Sequence, residues 1–128
     1  MNRRLWLKTK ATVIGAAMCA LILPTVAQEA PKSIRIGWSL AKSGPNAPGG
    51  ETTVRPNYEM WVKEVNASGG LMLKAYGKRV PIEVVEYDDR SSTEEAVRAI
   101  DRLITQDKVD LVLPPWGTGT NMAVAPTF

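Results

Sequence analysis

Five consecutive residues, Trp116-Gly117-Thr118-Gly119-Thr120, have the side-chain types and spacing in this chain best suited to gripping a ligand. Glycines let backbone N–H groups approach an anion, threonine hydroxyls add donors, and a helix starting there would turn its positive end the same way. A carboxylate fits such a turn, and Trp116 adds an apolar or stacking wall. A second stretch, Lys42 to Gly50, brings Ser43 into the same class of candidates. A plainer reading makes the first stretch only a loop and helix cap, where threonine is favoured anyway. Ser43 serves equally well as a loop cap or a ligand contact.

Composition removes most catalytic sets. The chain has no histidine, so His-based acid–base catalysis, His metal ligands and a His-containing triad are all excluded from these residues. Asp88 and Asp89 are adjacent at an expected strand end and point different ways, which suits a turn and helix lead-in better than an acid–base or metal pair. No G-x-x-x-x-G-K-[ST] is present, and the glycines after the first expected strand do not follow G-x-G-x-x-G spacing. These residues imply no enzyme, no cofactor and no metal.

The first 27 residues set the compartment. Arg3, Arg4, Lys8 and Lys10 precede an apolar run from Ala11 to Leu23, and Thr25-Val26-Ala27 forms a small-x-small cleavage site before Gln28. This is the grammar of an export signal. The apolar run falls short of the roughly 20 residues that span a bilayer, and Pro24 ends it. Asn2-Arg3-Arg4-Leu5-Trp6-Leu7-Lys8 resembles the twin-arginine export pattern. Cys19, the single cysteine, leaves with the signal, and Met18 before it argues against a lipoprotein site. Four of the 16 Lys and Arg and none of the 13 Asp and Glu lie in this segment, so residues 28–128 carry 12 basic against 13 acidic groups. The overall charge of +3 therefore belongs to the signal. The remaining cations are scattered among acids, which excludes the clustered face a nucleic acid needs.

The elements that must position the candidate residues alternate. Ile34 to Ser39 reads as a strand, followed by a loop from Ala41 to Gly50 whose glycines and prolines stop any regular element. From about Val54 to Ala67, Tyr58, Trp61, Val62 and Val65 form one apolar helical stripe, so Tyr58 and Trp61 belong to the core. Pro56 is tolerated in the first turn, and Gly69 and Gly70 end the helix. Leu71 to Lys78 is a connection, and Val80 to Tyr87 a second strand. Ser92 and Glu95 form a capping box for a helix with Ala96, Val97, Ile100, Leu103 and Ile104 on one face. Val109 to Leu113 is a third strand, apolar enough to be covered on both sides, and leads into the Gly/Thr turn and a third helix. Strand–helix alternation of this kind predicts an α/β fold, a doubly wound parallel sheet. With three strands the sheet keeps unpaired edges, so the expectation is an incomplete, amino-terminal piece of something larger.

In order along the chain, Ile34-Arg35-Ile36-Gly37, Ser43-Gly44-Pro45, Glu64-Val65-Asn66-Ala67-Ser68-Gly69-Gly70, Gly77-Lys78-Arg79, Glu86-Tyr87-Asp88-Asp89, Leu103-Ile104 and Val109-Asp110 resemble type I periplasmic solute-binding proteins, specifically the leucine-binding family that feeds branched-chain amino acid ABC transporters. The pairing of an N-A-x-G-G helix end with a Y-D-D strand end is the most specific part. The resemblance implies residues 28–128 as the amino-terminal part of the first lobe of a two-lobed periplasmic protein. Such a protein closes on a small amino acid or related carboxylate or amide and delivers it to an ABC transporter permease in the inner membrane. It further implies ligand contact at Gly117 and Thr118, and less directly at Gly119 and Thr120. The family's usual Ser-Ser pair is Gly117-Thr118 here, and Pro48 stands where some members have an aromatic residue. Both differences widen the ligand class beyond leucine, isoleucine and valine to a related carboxylate, amide or aromatic acid. Two other readings stay open at this point: a sensory ligand-binding domain of a receptor, and an exported α/β enzyme with its catalytic residues beyond Phe128.

Overall fold

The computed structural model describes residues 29–128; the expected export signal, its cleavage point and the twin-arginine pattern lie outside the described residues. Strand β1 (Ile34–Leu40) leads through a turn into a one-turn helix α1 (Ala47–Gly49). A π-helical segment (Gly50–Val54) joins α1 to helix α2 (Arg55–Ala67). A small hairpin follows, β2 (Leu71–Leu73) and β3 (Lys78–Val80), then β4 (Ile82–Asp88), α3 (Thr93–Thr105), β5 (Leu111–Val112) and α4 (Thr118–Val124). The main sheet is parallel with order β4-β1-β5, so β1 is its centre.

Side-chain alternation along β1 divides the core. Ile36, Trp38 and Leu40 point to one face and, with Ile82, pack beneath Tyr58, Val62 and Val65 of α2. On the opposite face, Ala96, Ile100 and Leu103 of α3 and Val124 of α4 form a second buried cluster. Burying each large aliphatic side chain contributes about 1.5–3 kcal/mol before entropy is counted. Gly37 is the contact point of the second face, because a Cβ there would lie 2.6 Å from Leu103 Cδ2. Helices on both faces of a parallel sheet are the doubly wound arrangement expected from the alternation.

Several expectations change. The glycines and prolines of residues 41–50 do not exclude helix, since helical backbone begins at Ala47. Pro48 sits at its first turn, where its missing N–H costs nothing, and Gly50 is right-handed with φ −60°. Only Gly44 in this stretch has a positive φ, at +81°. Leu71 to Lys78 is not a plain connection but the β2–β3 hairpin, with Leu71 opposite Val80 and Leu73 opposite Lys78. Val80 therefore belongs to the hairpin, and Pro81, which has no N–H to donate, separates it from β4. The third strand shrinks to Leu111–Val112, and Leu111 is 53% exposed, because no described strand pairs with its outer edge. Trp61 is also exposed, displaced from the stripe that Tyr58, Val62 and Val65 keep. Only half the capping box forms: Glu95 N donates to Ser92 Oγ at 3.3 Å, while the Glu95 carboxylate pairs with Arg98 instead.

The motifs behind the resemblance have structural work. Asn66 binds the first residue of β4 from both sides, its Oδ1 accepting from Ile82 N at 2.7 Å and its Nδ2 donating to Ile82 O at 3.0 Å. Gly70 has φ +97° and lies so close to the Val80 backbone that a Cβ would sit 2.8 Å from Pro81 N. Tyr87 donates its hydroxyl to Asp107 Oδ2 at 2.8 Å, tying β4 to the end of α3.

Candidate functional site

Parallel pairing puts the carboxyl ends of β4, β1 and β5 on one rim, with three loops above it. The β1 loop is held by β4. Asp88 Oδ1 accepts from Lys42 N at 2.9 Å and Arg90 N at 2.8 Å, and Asp88 Oδ2 accepts from the Ser43 hydroxyl at 2.8 Å. Ser91 adds a second clamp, donating its hydroxyl to Ser43 O at 2.7 Å and accepting from Asn46 N at 3.0 Å. This closeness is why residue 44 is glycine: besides its positive φ, a Cβ would come within 2.7 Å of Ser91 Oγ. Arg90 and Ser91 are both left-handed, φ +53° and +63°, which turns the chain sharply after Asp89.

Burial pushes the Asp88 carboxyl up, but the donors on Arg90, Ser43 and Lys42 together outweigh it and hold its pKa below the usual value. Asp89 is buried, and burial pushes its pKa up, opposed by the hydrogen bond from Ser91 N and reinforced by neighbouring Asp88. The two adjacent carboxylates thus face different surroundings and build a turn, as expected for residues pointing apart.

A charge network lies beside the loop. Lys42 Nζ is 3.1 Å from Glu86 Oε2, and Arg55 Nε is 3.3 Å from Glu86 Oε1 and 2.9 Å from Glu59 Oε1. Arg55 also meets Glu51 at 2.9 Å. The network joins the β1 loop, the π-helical segment, α2 and β4, and Glu86 is its shared anion.

Across β1, the segment after β5 is fixed by its own contacts. Tyr58 donates its hydroxyl to Pro114 O at 3.0 Å. Asn121 donates Nδ2 to Pro115 O at 2.7 Å and to Gly117 O at 2.8 Å, closing the turn from the helix side. Gly117 has φ +93°, a conformation that glycine adopts freely. Thr118 and Gly119 are exposed and Thr120 half-buried. All three lie inside the first turn of α4, not in a loop before it, and no side chain caps that turn. With seven residues α4 is short, so its dipole adds little and amide and hydroxyl donors carry any anion binding.

The structure brings Trp116 directly onto the β1 loop. Its indole packs against the Ile36–Trp38–Leu40 cluster and over Gly49, where a Cβ would lie 2.7 Å from Cε2 and 2.8 Å from Cη2. Ser43 is on the same rim but toward β4, its hydroxyl engaged by Asp88. Ser91 and Asn121, whose hydrogen bonds fix the rim, were not singled out in the sequence. Asp88 had a visible signal, its place in the Y-D-D strand end.

Residues 33–128 match the sequence profile described as periplasmic binding protein. Among solved structures, the branched-chain amino acid transporter substrate binding protein LivJ from Streptococcus pneumoniae, in complex with isoleucine, is similar at 36% identity and TM-score 0.65, over 75% of this chain and 26% of that one. An ABC transporter solute binding protein from R. palustris, in complex with benzoate, is similar at 29% identity and TM-score 0.56, over 72% of this chain and 23% of that one. The leucine binding protein LivK from Thermotoga maritima shares the fold, with 22% identity and TM-score 0.56 over 73% of this chain and 24% of its own. The chain spans about a quarter of the length of each.

Proposed function

This chain belongs to the periplasmic binding protein family, and on that premise we propose that residues 28–128 form the amino-terminal part of the first lobe of an ABC transporter substrate-binding protein. After export by the twin-arginine route and removal of residues 1–27, the protein captures a small amino acid or related carboxylate in the periplasm. It then delivers its ligand to an inner-membrane permease. It acts by binding, not by catalysis. Ligand bridging this rim to a second lobe shifts a hinge equilibrium toward the closed form, since only differential contact with the two states moves a population.

One observation carries this reading: the Trp116–Thr120 turn and the β1 loop meet on the carboxyl rim of a parallel sheet, with Trp116 laid over Gly49. Gly117, Thr118, Gly119 and Thr120 offer amide and hydroxyl donors to the ligand's carboxylate, Trp116 takes its apolar body, and Ser43 closes the side toward β4. The isoleucine-bound and benzoate-bound relatives favour a carboxylate carried on an apolar body. Thermal unfolding of the complete two-lobed protein with a panel of branched-chain amino acids and aromatic carboxylates tests it. A ligand that binds only the native state raises the midpoint, by about 2.7 kcal/mol of added stability at a hundredfold excess over Kd. No shift with any compound of the panel refutes the reading.

A further inference from the structure

We propose that Gly49 and Trp116 act as one selectivity element, in which the absence of a side chain at Gly49 fixes the indole as a flat wall and biases the cleft toward planar aromatic carboxylates. The inference rests on the function proposed above and adds the determinant of ligand shape.

Gly49 has ordinary right-handed helical backbone, φ −66° and ψ −52°, so no conformational demand explains a glycine there. Alanine is favoured over glycine in a helix. What explains it is space: the six-membered edge of Trp116 occupies the position a Cβ would take. The neighbouring glycine differs, since a Cβ at Gly50 would meet only Ala41 O, at 3.2 Å. The inner side of the indole packs on the Ile36–Trp38–Leu40 cluster, and its benzo edge is stopped by Gly49. Two contacts on different elements leave the ring little freedom, while the residue stays half-exposed on the rim. Beside it the backbone is open: a Cβ at Gly117 would meet only Thr120 Oγ1, at 3.9 Å, and one at Gly119 meets nothing within 4 Å. A fixed aromatic face next to unfilled space selects ligands by shape, because an aromatic ring in offset contact gains up to about tenfold in affinity beyond its buried area.

The experiment measures dissociation constants of the complete two-lobed protein for benzoate and isoleucine by calorimetry, unmodified and as Trp116→Ala, Gly49→Ala, and Gly49→Ala combined with Trp116→Phe. Trp116→Ala is expected to weaken benzoate about tenfold more than isoleucine. Gly49→Ala, which leaves the indole present but displaced, should shift the ratio the same way. The double variant should recover most of the benzoate affinity, because phenylalanine lacks the Cζ2 and Cη2 edge that the added methyl meets. A benzoate-to-isoleucine ratio unchanged within twofold in both single variants overturns the proposal, even if Gly49→Ala lowers thermal stability, since a packing role alone would do that. Absence of binding of any carboxylate by the complete, unmodified protein overturns the proposed function and this inference with it.

Discussion

Asp88→Asn removes a charge while keeping the shape of the clamp on the β1 loop. The asparagine carbonyl still accepts from Lys42 N and Arg90 N, and the Ser43 hydroxyl turns to accept from the new amide. What disappears is charge assistance on three hydrogen bonds. A bond to a charged group contributes about 1.5–3 kcal/mol against 0.5–1.5 for a neutral one. Asp88 is exposed, so solvent screens the difference, and a total loss of about 1–1.5 kcal/mol at neutral pH is expected. The sign with pH follows from its depressed pKa. A carboxylate held lower in the fold than in the unfolded chain contributes stability that is complete above about pH 5, and is lost as pH falls below its unfolded value near 3.9 through its folded one. Denaturant midpoints of the full chain and its Asp88→Asn variant should therefore differ at pH 7, with the gap narrowing by about pH 3. A gap equally large at both pH values, or a variant more stable at pH 7, refutes the reasoning.

Asp89→Asn should act in the opposite sense. Burial raises the Asp89 pKa, so its ionisation opposes folding as pH rises through the folded value; the variant should gain thermal stability at pH 7 and lose that advantage near pH 3, read by melting curves. Gly70→Ala should cost more than about 3 kcal/mol, since φ +97° and the Val80 backbone both reject a methyl, whereas Gly77→Ala should cost only about 1–2 kcal/mol because its φ of +59° is left-handed but nothing lies within 4 Å. Chemical unfolding separates the two, and equal costs would mean the close approach at Gly70 is immaterial. Ser92→Ala should lose about 1 kcal/mol through the N-cap of α3, and no change in the denaturant midpoint would count against that cap.

Periodicity made the sheet and its flanking helices legible because each element buries one stripe: Ile36, Trp38 and Leu40 on β1, and Ala96, Ile100 and Leu103 on α3. It failed where conformation depends on a neighbour distant in sequence. Gly49 reads as loop punctuation until Trp116 is seen against it. The β2–β3 hairpin escaped notice because three-residue strands are too short for alternation to show, and Met72 at its centre is exposed. Trp61 fits the stripe of α2 by spacing, yet it is 37% exposed and joins neither buried cluster. At the site, the Gly/Thr turn was visible in residue types, while the hydrogen bonds of Asp88, Ser91 and Asn121 that fix the rim were not, because the motif letters name the residues without naming their partners.

The rim glycines sort by what surrounds them, and that sorting is the physical reason to look for ligand at one end. At Gly44 and Gly49 the space a side chain would fill is already taken by Ser91 and by Trp116, and at Gly50 Ala41 stands close. Those three let the protein pack against itself. Gly117 requires glycine for its backbone angle and Gly119 requires nothing, yet the space above both is unfilled by any described residue. A glycine crowded by its own chain explains itself, whereas adjacent small residues over open space leave room for a ligand to approach the backbone. The turn also meets the indole of Trp116, so under the proposed function the polar and apolar halves of a carboxylate ligand would find their partners within one short segment, Trp116 to Thr120.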